Sequence, residues 1–371
     1  VTIRLINGDC LSVLPTLDAG SIDACVTDPP YHLTSITKRF GAANAAPAKF
    51  GTDGAFSRAA RGFMGQTWDG GDIAFRVETW AEVFRVLKPG AHLAAFGGTR
   101  TYHRMACAIE DAGFEIRDTL AWLYGSGFPK SHNAGEGRGT ALKPAFEPII
   151  LARKPLVGTV AQNVLAHGTG AINVDACRIE SADGYAENCV TQGVNTARTS
   201  FAPAVVQRTF APSTLGRWPA NVLHDGSDEV EAAFAEFGEH KAGSPISGNE
   251  PSVPAKGDVV YGFRDRVASH SHGDTGTASR FFYTAKADAA DRAGSKHPTV
   301  KPTDLMRYLV RLISPPGGTV LDPFAGTGST GLAADQLGMN AILIEQSPVY
   351  AADAERKIHG DAPLFADVVT A

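Results

Sequence analysis

The sequence contains no stretch of about 18 consecutive apolar residues, so nothing in it reads as a membrane-spanning helix. Its first residues, VTIRLINGDC, lack the basic-then-apolar pattern of a secretory signal. Cysteine is scarce: Cys10, Cys25, Cys107, Cys177 and Cys189 are scattered, with no CxxC pair and no Cys/His quartet at zinc spacing. They read as reduced thiols of a cytoplasmic protein, and no metal is expected; His270 and His272 in SHSHG fit a polar loop better than a ligand pair. A basic excess is also missing. The formal net charge is −5 at pH 7, so any contact with a polyanion has to come from local patches. Charged residues make up 20% and hydrophobic residues 43%, which excludes a disordered chain and supplies a sizeable core. At 371 residues, one large α/β domain with a subdomain or long insertions is the natural expectation.

Residues 1–154 alternate strand-like and helix-like patterns. Thr2–Ile6 and Ile22–Thr27 read as buried parallel strands, the second ending at the turn Asp28-Pro29-Pro30. Phe75–Leu87 places Val77, Trp80, Val83, Phe84 and Leu87 at helical spacing, and Lys88-Pro89-Gly90 is expected to stop it. A strand at His92–Phe96, a helix at Thr101–Asp111 and strands at Phe114–Tyr124 and Glu147–Ala152 follow. Residues 155–285 break into short segments with 9 Lys/Arg against 14 Asp/Glu, an acidic region whose charge advertises no partner. Residues 286–371 return to α/β logic, with helices at Pro302–Ile313, Gly331–Leu337 and Pro348–Ile358 and strands at Thr319–Leu321 and Ala341–Ile344. The expected fold is therefore α/β and Rossmann-like, a mostly parallel sheet assembled from both chain ends with the middle region inserted.

Two motifs carry chemistry. In TVLDPFAGTGSTG a strand ends at Asp322 and gives way to Gly326, Gly328 and Gly331 before a helix, a turn through which backbone can approach a ligand closely. Glu345, about 20 residues on at the end of the next strand, is placed to bind ribose hydroxyls. No Lys follows the glycines, which excludes a Walker loop, and only about 40 residues follow them, unlike a dinucleotide enzyme that opens on its fingerprint. The second motif, Asp28-Pro29-Pro30-Tyr31, sits at the carboxyl end of a buried strand, where open α/β sheets bind ligands. An exocyclic amino group on a base is a poor nucleophile because its lone pair is delocalised. The Asp28 carboxylate and a backbone carbonyl held by the prolines can accept its N–H bonds, and Tyr31 can stack on an extruded ring.

With DPPY first and the glycine motif last, the chain resembles the β-group of S-adenosylmethionine-dependent DNA amino-methyltransferases over roughly residues 1–154 and 280–360. The resemblance implies catalytic roles for Asp28, Pro29, Pro30 and Tyr31, and Asp28 also counts with the cofactor residues. It implies that Asp9 and Cys10 lie beside the cofactor adenine. His297, Thr299 and Lys301, from a segment similar to HPTxKP, help close the site over the methionine part. Asp322, Phe324, Ala325, Gly326, Thr327, Gly328 and Ser329 match the cofactor loop, and Glu345 the ribose-binding acid. The domains expected are residues 1–154 as the catalytic half, 155–285 as a target-recognition region and 286–371 as the cofactor-binding half.

The reaction implied is site-specific methyl transfer from S-adenosylmethionine to adenine N6 in double-stranded DNA, by base flipping and direct attack. In the family an Asp-initiated turn goes mostly with adenine. N4 of cytosine is the alternative; a dinucleotide-dependent oxidoreductase leaves DPPY unexplained, and a catalytically silent DNA-binding module leaves its retention unexplained. Cytosine C5 chemistry is disfavoured because no cysteine follows a proline. A homodimer and a cognate restriction endonuclease are implied by resemblance alone. For DNA contacts, the stretch His32–Gln66 offers Lys38, Arg39, Lys49, Arg58 and Arg61 against one acid, Asp53. Lys130, Arg138, Arg208, Arg217 and Arg280 are weaker candidates, and Trp218-Pro219-Ala220-Asn221 and Arg264-Asp265-Arg266 are segments of interest in the middle region.

Overall fold

The computed structural model describes residues 1–31, 72–127, 131, 133–180, 191–193, 208–210, 216–241, 274–285, 291, 294–295, 300–361 and 367–370. The chain opens with β1 (Thr2–Asn7), α1 (Cys10–Val13) and β2 (Ile22–Thr27). Then come α2 (Val77–Val86), β3 (Leu87–Phe96), α3 (Tyr102–Asp111), β4 (Glu115–Leu123), β5 (Phe146–Arg153) and α4 (Val160–His167). Short elements follow: β6 (Thr191–Gly193), β7 (Arg208–Phe210), β8 (Val222–His224), α5 (Asp228–Ala235), β9 (His240–Lys241), β10 (Thr275–Gly276) and β11 (Tyr283–Thr284). The chain then forms α6 (Thr303–Ile313), β12 (Thr319–Asp322), α7 (Ser329–Gln336), β13 (Asn340–Glu345), α8 (Pro348–Asp361) and β14 (Asp367–Thr370).

Ten strands make one sheet in the order β11-β8-β4-β5-β3-β2-β12-β13-β1-β14. Parallel pairing joins β3, β2, β12, β13, β1 and β14 in a continuous block, and β5 runs antiparallel to both β3 and β4. The expectation of a mostly parallel sheet built from both chain ends is thus met, with β2 from the first half beside β12 from the last. Every residue of β2 is buried, as a central strand covered on both faces requires. On one face Cys25, Leu93 and Ala95 join a cluster with Trp80, Val83, Met105 and Ile109, and α6 also packs on β2 and β3.

Lys88-Pro89-Gly90 does end α2, but it enters a strand directly. Between the pairs Ile22↔Leu87 and Ala24↔His92, two steps along β2 meet five along β3. The extra residues form a bulge that tolerates a proline without an N–H and puts Gly90 at φ 75°. A carboxylate also sits inside β2. Asp23 is paired with Lys88 at 2.6 Å and accepts the Thr319 N–H at 2.9 Å, which satisfies the charge across the seam with β12.

The chain divides into two compact units, one of Val1–Cys177, Ala220–Val230 and Thr284–Ala371, the other of Arg178–Pro219 and Glu231–Tyr283. The first holds the parallel block. The second holds the small ladders β6–β7 and β9–β10 and an ion-pair cluster in which Arg217 and Arg280 share Asp274, Arg280 also donating to the His240 carbonyl of β9 at 2.7 Å.

Trp80 is fully buried and its indole N–H donates to the Ala74 carbonyl at 2.9 Å. Trp80→Ala is therefore predicted to cost roughly 3–5 kcal/mol of stability, read by urea denaturation. A loss under about 1 kcal/mol would show that α2 is not anchored through this side chain.

Candidate active site

Asp28 follows the last residue of β2, so its carboxylate stands at the carboxyl edge of the sheet. Pro29 and Pro30 fix φ at the next two positions and turn the chain away from the strand. Tyr31 is then brought back onto Asp28: its hydroxyl donates to Asp28 Oδ1 at 2.8 Å and lies 3.3 Å from Glu147 Oε2. Its carbonyl accepts from Thr101 Oγ1 at 2.9 Å. The fourth member of the group is Lys301, 6% exposed, whose Nζ donates to Asp28 Oδ2 at 2.7 Å and to the Tyr31 hydroxyl at 3.1 Å. The same ammonium pairs with Glu147 at 3.1 Å and lies 4.9 Å from the Phe96 ring centre. Burial pulls the Lys301 ammonium down, but Asp28 and Glu147 more than offset it and hold the group above the ordinary lysine range. Burial, followed by the same two carboxylates, pushes the Tyr31 phenol well up, so it stays a neutral donor.

The neighbouring strand supplies the second half of the site. Asp322, at the end of β12, accepts Thr27 Oγ1 at 2.7 Å and the Phe324 N–H at 3.0 Å on one oxygen, and Thr330 Oγ1 at 2.5 Å on the other. One buried carboxylate therefore ties β2 to the glycine turn and to the first turn of α7. Gly326 and Gly328 have φ of 52° and 78°, the left-handed region, and a Cβ at Gly328 would lie 2.8 Å from that of Ala354. Glu345 ends β13 and accepts the Gly326 N–H at 2.8 Å and the Ser347 N–H at 2.7 Å. Burial raises its carboxyl, and those two amides counteract it. The Gly8 N–H reaches the Glu345 carbonyl at 3.0 Å, so the end of β1 abuts the same corner. Ser329 closes the circuit, donating to the Lys301 carbonyl at 3.2 Å and accepting from Lys357 Nζ at 2.9 Å.

Strand ends β1, β13, β12 and β2 thus gather a glycine turn, a strand-end carboxylate and an Asp-Pro-Pro-Tyr turn along one edge. A model of the N6/N4-type family described as DNA methylase matches residues 22–356 of this chain. The chain belongs to this DNA methylase family.

Individual relatives are more distant. The Type II methyltransferase M.HindIII of Haemophilus influenzae is 30% identical over 198 residues, which span 45% of this chain and 63% of that protein. The Type II methyltransferase M.HinfI of Haemophilus influenzae is 41% identical over 86 residues, 23% of this chain and 24% of that one. The matches therefore span less than two thirds of either relative. Among solved structures, the PvuII DNA methyltransferase, cytosine-N4-specific, is 14% identical with a TM-score of 0.47, covering 96% of this chain and 87% of that one.

In this chain the structure brings Asp28, Tyr31, Lys301, Asp322, Phe324, Ser329 and Glu345 into one connected group. Lys301, read from sequence with the segment closing over the methionine part, touches Asp28 directly. Ala325 and Thr327 are buried within the turn. Asp9 caps α1, accepting the Leu11 N–H at 3.0 Å, and the buried Cys10 thiol is pushed up to about 12 by burial, with Asp9 adding to it. That thiol is neutral and packs in the core. His297, Thr299, Lys38, Arg39, Lys49, Arg58 and Arg61 lie outside the described residues, as do Lys130, His270, His272 and Arg264-Asp265-Arg266. Arg217 is neither a surface charge nor a free phosphate contact: it is 7% exposed and consumed by Asp274. Arg280 shares that carboxylate at 3.2 Å, and the exposed Arg138 pairs with Glu136. Trp218 is exposed, with the Arg178 guanidinium 5.1 Å from its ring centre.

Glu147 is the member of the site that sequence reasoning missed. Inside the strand-like FEPIILAR it carries no motif, and only the antiparallel pairing of β5 with β3 and β4 brings it to the Asp28 edge. A carboxylate at the head of an apolar strand was the available signal. Tyr124, just past β4, belongs to the same neighbourhood: burial and then Glu147 push its phenol up to about 12. Among the described residues, no cluster of metal-ligating side chains occurs and no helix is long and apolar enough to cross a membrane.

Burial, partly countered by its hydrogen bonds, raises Asp322 from its ordinary 3.8 to about 6. A raised carboxyl stabilises the fold fully below its unfolded value, and that contribution is lost as pH rises through its folded value. The stability of the wild type relative to Asp322→Asn is therefore predicted to fall by roughly 3 kcal/mol between pH about 4 and about 6, then level off. Urea unfolding of both proteins across that range checks it, and a difference independent of pH would contradict it.

Proposed function

We propose that this chain transfers a methyl group from S-adenosylmethionine to the N6 amino group of adenine in double-stranded DNA. The observation that carries the reading is the shared edge: Asp28 and the glycine turn are locked together through the Thr27–Asp322 hydrogen bond at 2.7 Å. A group that accepts from an amine and a turn that admits a nucleoside are then neighbours by construction. Membership of the DNA methylase family supports the same reaction class.

The donor set suits the cofactor. Glu345 offers a strand-end carboxylate for ribose hydroxyls, and the glycines leave the turn free of side chains where backbone meets ligand. Bound there, S-adenosylmethionine supplies the methyl carbon: a carbon–nitrogen bond forms as the carbon–sulfur bond breaks, and the electron pair leaves with sulfur. The protein's contribution is position and charge. Asp28 and the carbonyls of the proline turn accept the two amino N–H groups and aim the nitrogen, so its lone pair is drawn out of the ring. Asp28 is also the acceptor the chain offers for the proton the nitrogen must shed. Tyr31, with its hydroxyl pinned by Asp28, presents a fixed ring face on which a flipped base can stack. Lys38, Arg39, Lys49, Arg58 and Arg61 are proposed to hold DNA phosphates, and His297 and Thr299 to close over the cofactor, with Asp9 and Cys10 beside its adenine.

Adenine is preferred because the turn begins with Asp rather than the SPP-type form that goes with cytosine. A homodimer, a cytoplasmic setting and pairing with a cognate restriction endonuclease are part of the same proposal, the last in keeping with the Type II names of the Haemophilus relatives. Incubation with S-adenosylmethionine carrying an isotopically labelled methyl group and unmethylated duplex DNA, then nucleoside mass spectrometry, tests it. Label in N6-methyladenine is the expected result. Label in N4-methylcytosine would overturn the base and keep the mechanism, and no label on DNA of varied sequence would overturn the reaction.

A further inference from the structure

The active-site group contains an arrangement that the transfer mechanism as derived does not need. Lys301 places a buried cation on Asp28 at 2.7 Å, and an ammonium there works against the reaction. It competes with the incoming amine for carboxylate lone pairs, and it repels both a sulfonium donor and the positive charge that develops on the nitrogen. A lone Asp28–Lys301 pair would leave a site of zero net charge. Glu147 changes that sum. Its Oε2 lies 3.1 Å from the same Nζ and 3.3 Å from the Tyr31 hydroxyl, so two carboxylates share one ammonium and the group carries one net negative charge. The geometry of sharing is enforced from three directions. Asp28 comes from the end of β2 and Glu147 from the antiparallel strand β5, while Lys301 enters just ahead of α6, with its carbonyl held by Ser329.

We propose that Glu147 is a positioning residue for methyl transfer: it shares the Lys301 ammonium with Asp28, so that Asp28 keeps net negative charge and the remaining lone pairs with which it accepts the substrate amine. The inference rests on the methyl-transfer reading above. In it Lys301 acts as a clamp that fixes the Asp28 rotamer through one oxygen, and Glu147 supplies the charge that keeps this clamp from quenching the acceptor. Reacting positive charge then meets a site whose net charge is opposite, in surroundings where such a difference is screened little.

The inference predicts a sign, which sets it apart from a purely structural role. Glu147→Gln leaves a shape of the same size but gives Asp28 an undivided counter-ion, and kcat for DNA methylation is expected to fall at least tenfold. The dissociation constant for S-adenosylmethionine should change less than threefold. Adding Lys301→Met to that variant removes the quenching cation, and kcat of the double variant is expected to exceed that of Glu147→Gln alone. A double variant no faster than Glu147→Gln, with cofactor affinity retained, would overturn the proposal. Urea unfolding of the wild type, both single variants and the double variant provides a readout independent of turnover: the two destabilisations should be less than additive because each removes the other's partner. Additive losses would overturn the shared-ammonium account even if every variant transferred methyl groups. Less-than-additive losses in a protein that labels no DNA would retain the charge sharing and reject only the transfer reading.

Discussion

A buried ammonium cannot stand alone, and Lys301 is the constraint around which this molecule is arranged. Taking such a charge out of water costs several kcal/mol, and removing one partner of a buried pair typically costs about 3–5 kcal/mol. Its partners Asp28 and Glu147 are 273 and 154 positions earlier in the sequence, so the cation is satisfied only when the two ends of the chain have met. The assembly of the Asp28 edge and the completion of the sheet are therefore one event. Nothing local in the sequence could assemble it.

The same logic repeats along the seam between β2 and β12. Asp23 near one end of β2 accepts the Thr319 N–H, and Thr27 at the other end donates to Asp322. Each is a buried polar group whose partner lies on the other strand, so sliding the strands by one residue would strand both. Register in the centre of the sheet is thus set by polar bonds as well as by the apolar pattern. That register places the Asp-Pro-Pro-Tyr turn level with the glycine turn, and Glu345 reaches back to Gly326 from the next strand over. The sides proposed for cofactor and acceptor are consequently held at fixed separation by the sheet itself, a rigid basis for the proposed transfer, which depends on alignment.

Much of this was legible in advance where residue pattern and physical role coincide. Ile22–Thr27 is a strand because a run that is apolar but for Asp23 and Thr27 suits a covered central position, and the glycine turn declared itself because glycine favours the left-handed backbone at residues 326 and 328. The helix expected over Pro302–Ile313 runs from Thr303 to Ile313 and buries Leu305, Leu309 and Leu312. What stayed hidden depended on tertiary partners. Pro89 and Gly90 read as a stop, and their accommodation in a bulge of β3 requires knowing how Ile22 and Ala24 pair. Arg217 read as surface because Asp274, its partner, is 57 residues away. Glu147 read as part of a strand, since a single carboxylate becomes informative only once a buried cation is known to sit beside it.

The central claim is a division of labour across one edge, with the acceptor at Asp28 and cofactor affinity at Glu345. Calorimetric titration of S-adenosylmethionine into Asp28→Ala and Glu345→Ala, paired with single-turnover methyl transfer by each, addresses it most directly. The account predicts that Asp28→Ala keeps its dissociation constant within about threefold while losing transfer by at least about a hundredfold, and that Glu345→Ala weakens binding by about tenfold or more. Equal loss of cofactor binding in the two variants would contradict it, because the two carboxylates would then serve one ligand rather than two.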